Sequence, residues 1–97
     1  MRKYEVMVIV DPVVDERQVQ GLLENHLKVI TESGGTVDEL NIWGRRKLAY
    51  EIDKKPEGVY AVIELTCEPD AVKELDRFFR INEQIMRTKV LRPELHN

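Results

Sequence analysis

Two hydrophobic periods alternate along this chain in the order strand, helix, strand, strand, helix, strand, and few folds accept that order. Tyr4-Glu5-Val6-Met7-Val8-Ile9-Val10 is mostly apolar and β-branched and stops at Asp11-Pro12, so it reads as a central strand. Asp15 with Gln18 opens a helical stretch in which Val19, Leu22, Leu23, His26, Leu27 and Ile30 recur on one face until Gly34-Gly35. Gly21 weakens that helix by about 1 kcal/mol relative to alanine, a cost that close packing on a sheet would explain. Thr36 to Ile52 continues as one long strand, and Asp53-Lys54-Lys55-Pro56-Glu57-Gly58 has the composition of a hairpin connection with Pro56 and Gly58 at its turn. Val59 to Cys67 then sorts by parity, with Val59, Ala61, Ile63, Leu65 and Cys67 toward the core and Tyr60, Val62, Glu64 and Thr66 away from it. Glu68-Pro69-Asp70 starts a second helix with Val72, Leu75 and Phe79 on one stripe, ending near Asn82. Ile85 to Leu91 is the last strand, with Arg87, Lys89 and Leu91 on one parity and Thr88 and Val90 on the other.

Two split βαβ units with right-handed crossovers put the first and third strands in the middle of the sheet and the second and fourth at its edges. The expected fold is therefore α+β, a four-stranded antiparallel sheet with both helices on one face. A chain of 97 residues, 42% of them hydrophobic, suits a single core. Residues 1–93 form that domain, and Glu94 to Asn97 have too little to bury and should fray. A lone cysteine, Cys67, cannot close an intramolecular disulfide, and no signal-peptide pattern opens the chain, so a cytosolic protein is expected. No apolar run approaches the roughly 20 residues of a membrane helix.

The second helical layer leaves one sheet face uncovered, and Met7, Ile9, Val62 and Leu91 give it an apolar centre for a protein partner, with Trp43 beside it. The stretch Trp43-Gly44-Arg45-Arg46-Lys47-Leu48-Ala49-Tyr50-Glu51-Ile52 concentrates cations next to aromatics. If Leu48 is taken as a core residue, Arg45 and Lys47 fall on the opposite face and Arg46 shares its parity, unless a bulge at Gly44 swings it out. Arginine forks and a lysine beside Trp43, Tyr50 and Tyr60 suit a nucleic-acid backbone with unstacked bases. Arg2, Lys3, Arg87, Lys89 and Arg92 complete the RNA-contact candidates, while the acidic residues cluster on the helices. With a net charge of -3, it is this sorting by element that argues for RNA, since the whole-molecule field does not. Edge lysines and arginines also guard sheets against pairing with other chains, which is the competing explanation for the triple cation.

The Gly-basic-basic-basic-Leu-Ala-Tyr core at 44–50, the Arg2-Lys3-Tyr4-Glu5 opening, Gly58-Val59-Tyr60 and Ile81-Asn82-Glu83 with Arg87 together resemble the bacterial small-subunit ribosomal protein six family, over essentially the whole chain. The resemblance implies a ferredoxin-like domain that pairs with small-subunit ribosomal protein eighteen, the two binding the central domain of small-subunit ribosomal RNA during assembly. It implies no catalysis. Some relatives carry a long acidic tail, whereas this chain stops soon after Pro93.

Other chemistries find little footing. Cys67 lies on the core parity, His26 is a boundary-of-core position and His96 sits in the tail, so no nucleophile or metal set is assembled and no cofactor or small-molecule substrate is expected. The acidic pairs Asp15-Glu16 and Glu68 with Asp70 are explained by helix starts. A stand-alone RNA-recognition motif shares this topology, but Glu57-Gly58-Val59-Tyr60-Ala61-Val62 places a glutamate where that motif has a cation and offers one outward aromatic. A small oligomerising domain without RNA is the third alternative, separated from the others by the salt dependence of RNA binding.

Overall fold

The structure, a computed structural model, describes residues 1–92, so Pro93 and the tail Glu94 to Asn97 lie outside the described residues. Strand β1 (Arg2–Val10), helix α1 (Glu16–Glu32), strands β2 (Thr36–Ile52) and β3 (Lys55–Cys67), helix α2 (Pro69–Ile81) and strand β4 (Ile85–Leu91) follow the expected order. The sheet runs β2-β3-β1-β4 with every pairing antiparallel, so β1 and β3 are central and β2 and β4 are edges.

Local chemistry sets each boundary. Asp15 caps α1 by accepting from the Arg17 backbone N–H at 2.9 Å. At the other end Gly34, at φ +93°, lets its own N–H reach Thr31 C=O while Gly35 N–H reaches Ile30 C=O at 2.9 Å, the paired closure of a Schellman motif. Pro69 sits in the first turn of α2, where its missing N–H costs nothing. The β2–β3 hairpin closes on Asp53 and Lys54, both at positive φ, with Ile52 paired to Lys55. Pro56 and Gly58 are thus strand residues, and the turn expected at them lies earlier. Gly58 is a glycine for another reason: a Cβ there would stand 2.4 Å from the Ile9 Cγ2 of the neighbouring strand.

The core lies between the sheet and the two helices. Val6, Val8 and Val10 of β1 and Val59, Ala61, Ile63, Leu65 and Cys67 of β3 meet Val19, Leu23, Leu27 and Ile30 of α1 and Val72, Leu75 and Phe79 of α2. The parity read for β3 holds residue by residue, and burial pushes the Cys67 thiol upward, as an inert core cysteine should behave. His26 stacks on Phe79 at 5.1 Å between ring centres. Its Nδ1 lies 2.9 Å from Leu22 C=O and its Nε2 3.1 Å from the Asn82 amide, so the neutral Nδ1–H tautomer satisfies both and ties α1 to the end of α2. Two further expectations fail. Gly21 is exposed, and a Cβ added there would meet nothing within 4 Å, so it marks no close helix–sheet contact. Leu48 is buried but stands outside the helix-side core, because the strand that carries it has changed face.

Candidate nucleic-acid and protein interface

Three interruptions in the β2–β3 register decide which β2 side chains face which way. Cross-strand partners share a face, so β3 parity assigns β2. Val37, Leu40 and Ile42 pair with Leu65, Ile63 and Ala61 and point to the helices. An extra residue at Trp43, followed by Gly44 at φ +89°, forms a bulge, and after it Arg45 pairs with core-facing Val59 while Arg46 pairs with Gly58. Arg46, and with it Leu48, therefore lies on the open face, and Arg45 and Lys47 lie on the helix side. Counting from Leu48 as a core residue inverts Arg45, Lys47 and Leu48 itself, whereas the bulge at Gly44 swings Arg46 out, the alternative the sequence left open.

Arg45 is a brace. Its guanidinium donates to Glu57 Oε1 at 3.0 Å and to Pro12 C=O at 3.2 Å, and its backbone N–H donates to Glu16 Oε1 at 3.1 Å, joining the middle of β2 to the start of α1. Nearby, Lys55 forms an ion pair with Asp11. Burial works against the Asp11 charge, but that ammonium and the Val13 N–H outweigh it and hold the carboxyl below its ordinary range.

The open face reads in rows across β2, β3, β1 and β4. Gly44, Tyr60, Ile9 and Arg87 form one row, with Arg46 beside Gly58 just beyond it. Asn41, Val62, Met7 and Lys89 form the next. Glu39, Glu64, Glu5 and Leu91 form a third, and Thr36, Thr66 and Lys3 a fourth. The sequence candidates thus separate. Arg46, Arg87 and Tyr60 gather at one end of the face, with Lys89 next to them, whereas at the other end Lys3 pairs with open-face Thr66 and Arg2 pairs with Cys67 on the helix side. Eight residue steps along β3 separate Gly58 from Thr66, roughly 26 Å at strand rise. Arg92, which follows Leu91, belongs to the Lys3 end. The apolar centre is less exposed than its sequence suggests: Val62 and Ile9 retain 9% and 8% of their surface, with Met7 and Leu91 half-buried. Trp43 and Tyr50, both on β2, remain half or more exposed.

What sequence reasoning missed is the carboxylate row. Asp38 is an extra residue between Val37 and Glu39, and its carboxylate accepts from the Thr66 and Thr36 hydroxyls at 2.6 and 2.8 Å, both on the open face. Those two hydroxyls hold the Asp38 carboxyl low. Two consecutive acids, Asp38 and Glu39, consequently share a face, which simple alternation forbids. Glu64, opposite Glu39 on one side and Glu5 on the other, is pushed up by the neighbouring Glu39 carboxyl, while Glu64 and then Asn41 hold Glu39 below its ordinary range. A clue was present in the outward parity of Glu64, but its neighbours depend on register.

A split βαβ sandwich with one sheet face free and charged groups graded along it defines a ferredoxin-like domain whose distinctive surface is the sheet itself. A sequence model of the family described as ribosomal protein S6 matches residues 3–92. The small ribosomal subunit protein bS6 of Cutibacterium acnes is 62% identical over 96 residues, covering 99% of this chain and 100% of that protein. Its counterpart in Streptomyces coelicolor is 59% identical over 96 residues, with the same coverage. The crystal structure of 30S ribosomal protein S6 from Thermotoga maritima superposes with a TM-score of 0.87 at 38% identity, over 98% of this chain and 91% of that one. The chain belongs to the ribosomal protein S6 family of the small ribosomal subunit.

Proposed function

We propose that the protein is a structural, non-catalytic component of the cytoplasmic small ribosomal subunit that binds small-subunit ribosomal RNA jointly with small-subunit ribosomal protein eighteen during assembly. The observation that carries this reading is the convergence of Arg46, Arg87 and Tyr60 on neighbouring rows of an uncovered sheet, with Lys89 alongside. Two guanidinium forks and an ammonium next to an aromatic ring match phosphates flanking a base or sugar, and such contacts position an RNA shape more than they read its sequence. Lys47, on the helix side of the same edge, extends the cationic strip around β2. Trp43 is exposed beside it for a stacking or partner contact. Met7, Val62 and Leu91 form the adjoining protein-partner surface, and Arg2, Lys3 and Arg92 lie at the far end of the sheet, Lys3 on the open face and Arg2, opposite Cys67, on the helix side. Arg45, whose donors serve Pro12 and Glu57, contributes by holding the strip in place.

The test is RNA binding by the purified protein, with and without protein eighteen, across a salt series. Joint binding is expected to exceed that of either protein alone and to fall steeply with salt. Full-strength binding of single-stranded RNA by the protein alone would favour a stand-alone RNA-binding module and overturn the joint-binding reading.

A further inference from the structure

His26 joins the two helices through both ring nitrogens, and its partners leave the ring one workable protonation state. Leu22 C=O can only accept, so Nδ1, 2.9 Å away, carries the hydrogen. Nε2 is then an acceptor, facing the Asn82 amide nitrogen at 3.1 Å. That amide is not free to turn round, because its Oδ1 accepts from the Gln84 backbone N–H at 2.8 Å. The same turn is closed by Ile85 N–H on Asn82 C=O at 3.0 Å, and Gln84 C=O accepts from Asp11 N–H at 2.8 Å, which ties the turn to the end of β1. The ring is half-buried against Phe79, and the small cleft over it is lined by Asn25, Phe78, Ile81 and Asn82, none of them titratable. The charged residues that flank the cleft are Glu24 and Lys28 of α1, both exposed, Arg77 and Arg80 of α2, paired with Glu74 and Asp76, and Glu83 of the turn, also exposed. Among the described residues no carboxylate is bonded to the ring, so a second hydrogen on it would find no acceptor.

We propose that His26 is an acid-sensitive latch on the turn that leads from α2 into β4. A proton on Nε2 turns an acceptor into a donor that faces the N–H of Asn82. Either the bond between the helices breaks, or the amide flips toward the ring and gives up Gln84 N–H; both loosen residues 82–85. The opening is local, because the core below is carried by Leu75, Val8 and Ile63, which are fully buried and apolar. Nearby Asp11 does not obscure the effect. Its carboxyl is held below the ordinary range, so it stays charged where imidazoles ordinarily titrate, near pH 6.5, and its pair with Lys55 persists there. The freed turn ends two residues before Arg87, so acid acts on the cationic end of the open face from behind the sheet. The latch stands whether or not that end meets RNA.

The test uses the full chain carrying His96→Gln, so that a single imidazole is followed by NMR between about pH 7.5 and about pH 5.5. At the higher pH the ring nitrogen shifts are expected to report a hydrogen on Nδ1 and none on Nε2. As the ring gains its proton, hydrogen-exchange protection of the Gln84 and Ile85 amides, corrected for intrinsic rates, is expected to fall roughly three- to tenfold, the loss of about one hydrogen bond, while Val8 and Ile63 keep theirs. Asn82→Asp supplies the decisive contrast. Its carboxylate accepts from a protonated ring and still accepts from Gln84 N–H, so acid is expected to raise protection of the turn in that variant. A hydrogen on Nε2 at pH 7.5, an unchanged turn once the ring is protonated, or an equal loss at Val8 and Ile63 would each overturn the latch. So would an Asn82→Asp protein whose turn loosens in acid as the parent's does. The parent measurements decide the matter if that variant does not fold.

Discussion

Arg45 and Arg46 are adjacent in sequence and opposite in the sheet, and single alanine substitutions should separate them cleanly. Arg45→Ala removes the bonds to Glu57 and to Pro12 C=O but leaves the backbone bond to Glu16 intact. Because the Arg45 and Glu57 side chains each keep 42% of their surface, the ion pair is partly solvated and worth well under 1 kcal/mol. The carbonyl bond adds on the order of 1 kcal/mol at most. Together a loss of about 1 kcal/mol is expected, which in a domain of this size lowers Tm by roughly 4–8 °C. Arg46 is exposed on the other face, so Arg46→Ala should leave stability within about 0.5 kcal/mol of the parent. RNA binding should respond in the reverse sense. With protein eighteen present, Arg46→Ala should lower the slope of log affinity against log salt by roughly 0.7 to 0.9, the signature of one lost phosphate contact, and Arg45→Ala should leave the slope unchanged. Urea melts at several protein concentrations and filter binding across a salt series make both measurements. An Arg45→Ala protein that melts normally but binds RNA with a flattened slope would refute the brace. An Arg46→Ala protein that binds RNA like the parent but self-associates would show that this arginine guards the edge strand instead.

The other predictions concern the core, two glycines and the carboxylate row. Leu75→Ala, at a fully buried position between α2 and the sheet, should cost about 2 to 5 kcal/mol in denaturant melts, and a loss below about 1 kcal/mol would show that α2 does not pack as described. Gly21→Ala should stabilise by roughly 0.5 to 1 kcal/mol because a methyl there meets open space, whereas Gly35→Ala drives a methyl to 2.7 Å from the Thr66 carbonyl oxygen and should destabilise by about 1 to 3 kcal/mol; equal effects at the two sites would contradict the geometry. Glu64, whose pKa is raised in the folded state, supports folding when protonated and loses that contribution as pH rises from the ordinary carboxylate range through its folded value. Glu64→Gln should therefore melt higher than the parent at pH 7, with the advantage shrinking as pH falls into and below the carboxylate range, and a constant difference across pH would deny that folding raises the Glu64 pKa.

Much of this architecture is written in local sequence. The two periods, the Asp15 cap, the Gly34-Gly35 stop and the Pro69 start each act within a few residues, so the element order and the core side of β3 follow from the chain read alone. Right-handed crossovers then leave one strand order for those elements. The faces of β2 were not legible in this way. Alternation predicts a side chain's face only as far as the next bulge, and β2 has irregularities at Asp38, at Trp43 and beyond Lys47, each of which shifts the pairing with β3. The hairpin turn adds to the displacement, because Asp53 and Lys54 adopt positive φ without the glycine or proline that marks such turns in sequence. Composition and periodicity thus determined that the chain makes a two-layer α+β domain with one open sheet face. Only the tertiary register decided that Arg45 turns inward to brace α1 while Arg46 turns outward, and that Glu5, Glu39 and Glu64, far apart in the chain, stand in one row. A strand's own side chains alternate by local geometry, but what lies beside them is set by long-range pairing, in which a single inserted residue reverses every face that follows it.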